Sequence, residues 1–87
     1  MAWKVEKSRG NVINSYRGSA ITTYQRLDNR VWISLGIINE SLINSLRFRV
    51  NGMIIRVLPR GTFDDDFEEF TEVEILSNVT HSIVMRG

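Results

Sequence analysis

The chain has 87 residues, 43% of them apolar and 24% charged, a balance outside the disordered class and sufficient for one small core. It contains no cysteine, which excludes a disulfide scaffold and every thiolate metal centre. The formal charge of +1 conceals two opposed parts: residues 1–60 carry ten basic and three acidic side chains, a net of +7, whereas residues 61–87 carry one and seven, a net of −6.

At the start of the chain, residues 1–6 read Met-Ala-Trp-Lys-Val-Glu, without the apolar stretch that a secretory signal requires. No apolar run is long enough to span a bilayer. A cytoplasmic location without membrane attachment is the expectation. A first strand is followed by a predicted hairpin over residues 20–35, turning at Asp28-Asn29. Its β-branched and aromatic content favours strands, with Tyr24, Val31, Ile33 and Leu35 on one face and Thr23, Gln25, Trp32 and Ser34 on the other.

Between Leu35 and Leu46 the apolar period lengthens, and Asn39 suits the cap of a two-turn helix bearing Ile38, Leu42, Ser45 and Leu46 on one stripe. The clearest local signal follows. Asn51-Gly52 is the dipeptide of a two-residue type I′ turn. Its flanks pair Val50 with Met53, Phe48 with Ile55 and Leu46 with Val57 on one apolar face. The other face sets Arg49 opposite Ile54 and Arg47 opposite Arg56, a like-charge pair that solvent or an anion must relieve. Pro59, the only proline, marks the end of this segment.

After Thr62, Phe63, Phe67 and Phe70 stand at i, i+4 and i+7, which predicts a second helical turn with Asp64, Asp65 and Asp66 near its amino end. A last hairpin is expected to join residues 71–76 to 81–85 through Asn78-Val79-Thr80. That triplet matches a glycosylation acceptor but reads better as a turn. Residues 1–87 are expected to form a single, mainly β domain. Its form would be a small antiparallel barrel, or a curled sheet of about five to seven strands closed by dimerisation, with one or two short helices.

Arg47, Arg49 and Arg56, with Arg30 and Arg60 at the margin, are the candidate nucleic-acid contacts. Nine of the eleven basic residues are Arg, the side chain suited to bidentate phosphate and guanine contacts, and a two-stranded ribbon fits the DNA major groove. Arg17, Arg26, Lys4, Lys7 and Arg9 are possible helpers. The plainer reading is a solvated face neutralised by the acidic segment. That segment offers a second candidate: Phe63 and Phe67 as apolar anchors among Asp65, Glu69 and their neighbours, with Trp32 as a further aromatic contact. Its plainer reading is a set of core phenylalanines with carboxylates facing water. Asp64-Asp65-Asp66 lacks the alternating donors and central glycine of a calcium loop. His81, the only histidine, lacks a partner for nucleophilic or metal chemistry. The glycines form no phosphate loop. No catalytic residue, metal or cofactor is expected.

Residues 30–36, 37–46 and 47–57, read as strand, short helix and strand, loosely resemble the swapped-hairpin dimers of small bacterial transcription regulators and antitoxins. The likeness covers about a third of the chain. It lacks the usual proline at the strand–helix step and the Gly-Asp turn after the helix. The first expectation is therefore a non-enzymatic, homodimeric nucleic-acid-binding or transcription-regulating protein. The alternative is a protein-interaction module, an inhibitor or small assembly component, working through the acidic phenylalanine-bearing segment.

Overall fold

The computed structural model describes residues 12–26 and 28–87. They form eight strands: β1 (Val12–Gly18), β2 (Thr22–Gln25), β3 (Trp32–Asn39), β4 (Leu46–Val50), β5 (Met53–Val57), β6 (Thr62–Phe70), β7 (Glu72–Ile75) and β8 (His81–Arg86). Two four-stranded antiparallel sheets result, sheet I in the order β1-β8-β3-β6 and sheet II in the order β2-β7-β4-β5. Their inner faces share one core, built from Trp32, Leu35, Ile37 and Ile83 on sheet I and from Leu46, Phe48, Val73 and Ile75 on sheet II. Both sheets are open, so the expected barrel is corrected to a sandwich, and the expected five to seven strands to eight. Among the described residues there is no helix.

The β4–β5 hairpin has the predicted register, residue for residue, from Leu46 opposite Val57 to Val50 opposite Met53. Asn51 and Gly52 take φ values of 49° and 78°, the two left-handed positions that a type I′ turn requires. Among the described strands it is the only connection that stays within a sheet. The other six cross the sandwich, which overturns both other predicted hairpins. β2 pairs with β7 while β3 pairs with β6 and β8. β7 likewise belongs to sheet II and β8 to sheet I.

The helix expected from Asn39 is a loop. Asn39 ends β3 fully buried, its amide nitrogen 2.8, 3.1 and 3.2 Å from the carbonyl oxygens of Asn44, Val57 and Leu58. Its Oδ1 accepts the Ser41 amide at 2.9 Å, and the Ser41 hydroxyl accepts those of Ile43 and Asn44. These local bonds compete with a helical turn and win. The predicted helix after Thr62 is β6. Between Ser34 opposite Asp66 and Trp32 opposite Phe70, the residues Phe67, Glu68 and Glu69 stand against Ile33 alone. This bulge lets phenylalanines at helical spacing all turn toward the core from a strand. Ring centroids lie 5.4 Å apart for Phe48–Phe63, 5.9 Å for Phe63–Phe67, 5.8 Å for Phe67–Phe70 and 5.7 Å for Phe70–Trp32.

At the opposite side, His81 is fully buried. Its Nδ1 lies 2.8 Å from the Val79 carbonyl, which only accepts, so Nδ1 carries the proton; Nε2 lies 2.8 Å from the Tyr24 hydroxyl. Gly18 makes room for this pair, because a Cβ there would stand 2.9 Å from the Tyr24 oxygen. Burial, and secondarily the charge of the neighbouring Tyr16 phenolate, push the Tyr24 phenol above its ordinary pKa.

Replacing Asn39 tests the buried amide. Asn39→Asp keeps the shape but turns a carboxylate toward three carbonyls, and is expected to lower the unfolding free energy by about 3 kcal/mol, more than Asn39→Ala. Urea unfolding at neutral pH measures both; losses below about 0.5 kcal/mol contradict the assignment.

Candidate functional site

Arg47, Arg49 and Arg56 emerge on the outer face of sheet II. Arg47 stands opposite Arg56 and Arg49 opposite Ile54, as the turn dictated. Arg49 is also opposite Glu74 on β7 and donates to its Oε1 at 2.9 Å, while Arg56 Nε donates to Ser45 Oγ at 3.2 Å. Arg60 and Arg30 do not join them. Arg60 sits in the β5–β6 turn with φ 62°, its amide donating to the Ser41 carbonyl. Arg30 lies at the other end of the sandwich, before Trp32, its amide bonded to Asp28 Oδ1 at 3.1 Å. Nor is β4–β5 a free ribbon, since β4 is bonded to β7 along its second edge. Lys4, Lys7, Arg9 and Trp3 lie outside the described residues.

The aromatic and acidic candidates also separate. Trp32 is fully buried and donates from Nε1 to Asn14 Oδ1 at 2.9 Å; it is core and offers a partner nothing. The half-buried Phe63 and Phe67 reach the rim of the sandwich from β6, with Asp65 and Glu69 exposed beside them. β6 is an edge strand, joined on one side to β3.

Residues missed by the sequence reading lie at the end of the sandwich where loops 19–21, 40–45, 58–61 and 76–80 meet. Leu42 is 70% exposed, Ile43 81% and Leu58 59%. The loops beneath them are laced together. Asn39 and Glu40 amides donate to the carbonyls of Gly61 and Thr80, the Arg60 amide donates to Ser41, and the Ile21 amide donates to Asn78 Oδ1. Glu40 accepts from Arg17 at 2.6 Å and from the Ser82 hydroxyl. Two large apolar side chains thus project from a loop fixed from below. The signal available in sequence was Ser41-Leu42-Ile43-Asn44-Ser45, an apolar pair bracketed by residues that favour turns.

Other concavities are shallow. One of about 320 Å³ opens on the outside of sheet I, where Gly36 lacks a side chain between Ile38, Asp64, Val84 and Arg86; its two charged groups are paired at 3.2 Å. Among the described residues no three carboxylate or imidazole groups converge for a metal, and no helix is long and apolar enough to cross a membrane.

No family model, curated protein or solved structure matches the chain. These comparisons give no support to the expected DNA-binding transcription regulator. The swapped-hairpin likeness fails at its helix, which this chain replaces with loop 40–45.

The hydrogen bonds to Glu40, first from Arg17 and then from Ser82, hold its carboxyl below the ordinary range. A carboxylate with a depressed folded pKa contributes stability that is complete above its unfolded value, about pH 4, and that fades as pH falls through the folded one. The urea midpoint is expected to drop between about pH 5 and 3, and Glu40→Gln to flatten that drop. Equal slopes for both proteins contradict the role of Glu40.

Proposed function

We propose that this chain is a non-enzymatic protein-binding module, a small assembly component that grips its partner with the loop end of the sandwich. The observation that carries this reading is the exposure of Leu42 and Ile43 on a loop fastened to buried Asn39. Apolar residues scattered on a surface need no explanation. An adjacent pair held outward by a dedicated hydrogen-bond network, with Leu58 on the neighbouring turn, fits the centre of an interface.

The energetics agree in scale. Removing one such side chain from water is worth about 1.5–3 kcal/mol, so Leu42 and Ile43 together supply roughly two to four decades of affinity. A loop that is already ordered loses less entropy on docking than a mobile one. Arg60 beside the loop, and Arg47 and Arg56 on the adjoining face, favour an acidic rim on the partner, which would speed encounter more than it deepens affinity.

Affinity capture from cells that contain the protein, followed by mass spectrometry, tests the reading. Proteins retained by the wild type are expected to be released by the double variant Leu42→Ser/Ile43→Ser, whose thermal midpoint should stay within a few degrees because both residues are already in water. Capture of the same proteins by the double variant, with the fold intact, contradicts the proposal.

A further inference from the structure

Four loops close the end of the sandwich, and each joins a strand of sheet I to the strand stacked on it in sheet II: β1 to β2, β8 to β7, β3 to β4 and β6 to β5. In that strand order the loops stand side by side as 19–21, 76–80, 40–45 and 58–61. Ile21, 58% exposed, belongs to the first, and its amide is tied to Asn78 Oδ1 of the second at 2.8 Å. Leu42 and Ile43 rise from the third and Leu58 from the fourth. With strands about 4.8 Å apart, Ile21 and Leu58 are three spacings, about 14 Å, from each other. The exposed apolar side chains of this end thus form a row that runs across the strands.

The charges beside the row lie on one flank. Arg56 Nε donates to Ser45 Oγ at 3.2 Å at one foot of loop 40–45, and the Arg60 amide donates to the Ser41 carbonyl at 3.0 Å at the other. Arg47 stands opposite Arg56, and all three arginine side chains are exposed. On the flank of sheet I, Glu40 is neutralised by Arg17 at 2.6 Å. A bilayer surface favours cations spread around the inserted tips; cations along one side of a row favour a ligand that has sides of its own.

We infer, on the reading that the loop end binds protein, that the partner presents an acidic amphipathic helix. Main-chain groups that could have received an extended segment are bonded between the loops, as Asn39 to Gly61, Glu40 to Thr80 and Arg60 to Ser41. A helix satisfies its own backbone and offers side chains alone. Its residues i and i+7 are about 10.5 Å apart and i and i+11 about 16.5 Å, so an apolar stripe at i, i+4, i+7 and i+11 covers the row from Ile21 to Leu58. Carboxylates along one edge of that stripe meet Arg47, Arg56 and Arg60. A basic helix is rejected by the same three arginines.

Fluorescence anisotropy of the full chain with a labelled eighteen-residue peptide, at low and high salt, tests this. The peptide carries leucines at i, i+4, i+7 and i+11 and glutamates along one flank. Micromolar binding that weakens with salt is expected. A peptide of the same composition with leucine and glutamate alternating should bind at least tenfold more weakly. So should the original peptide to Arg56→Gln/Arg60→Asn, in which Asn suits the left-handed backbone of position 60. Leu42→Ser/Ile43→Ser should abolish binding. Equal binding of the two peptides, unchanged affinity in the arginine variant, or no binding at low salt would overturn the inference. So would a free protein that dimerises through Leu42 and Ile43, or one that binds phosphatidylserine vesicles and not the peptide. Release of captured proteins by Leu42→Ser/Ile43→Ser, without any peptide binding, would remove the acidic helix and leave the loop end standing as a protein site.

Discussion

One buried amide sets the conditions for much of this molecule. Asn39 ends the central strand of sheet I and reaches into a space where the chain returns twice, at Asn44 and at Val57-Leu58. The open end of the β4–β5 hairpin leaves the carbonyls of Asn44, Val57 and Leu58 turned toward the end of β3. The Asn39 amide group meets them, donating to the returning carbonyls while its own oxygen receives the Ser41 amide. A carboxylate of the same shape has no donor to give. An apolar side chain would leave buried polar groups unpaired at a cost of about 1–3 kcal/mol each. The path of loop 40–45, and so the outward direction of Leu42 and Ile43, depends on this one side chain.

The legibility of the fold in sequence follows the range of its interactions. The β4–β5 hairpin was readable to the residue, because Asn51-Gly52 fixes a turn and a turn fixes a register. Elsewhere the alternation of apolar and polar residues located strands without naming their partners. Residues 20–35 and 71–85 hold two strands each, as read, but each pair is divided between the sheets. Period-2 patterning says which face of a strand is buried; it is silent on which strand lies alongside. The helical spacing of Phe63, Phe67 and Phe70 came from a bulge, which adds residues to one strand and so disguises its period. Asn39 was read as a cap, and it does receive a backbone amide two residues on, yet what it closes is a loop. Burial, not residue type, separated those two outcomes.

The same divide holds for the candidate sites. Arg47, Arg49 and Arg56 were placed together correctly because they belong to the hairpin, whereas Arg30 and Arg60 fell at opposite ends because their positions depend on crossings that sequence did not reveal. Trp32 was read on a sheet face, and the sandwich covers it completely. Charge asymmetry along the chain became a division in space. The arginines of the basic hairpin lie on the outside of sheet II, and the acidic strand is an edge strand of sheet I among the described residues. Arg49 of the hairpin meets Glu74 of β7, and Asp64 of the acidic strand meets Arg86 of β8. The loop end between them carries the apolar surface.

Leu42 and Ile43 are held outward only if loop 40–45 is as ordered as the strands beneath it. Nitrogen-15 relaxation on the free protein measures that directly. Order parameters near 0.85 for the amides of Ser41, Ile43 and Asn44, equal to those of β3 and β8, are the expected result. Values below about 0.6 across the loop would mean that Leu42 and Ile43 are exposed by disorder, and would contradict a loop that holds them outward.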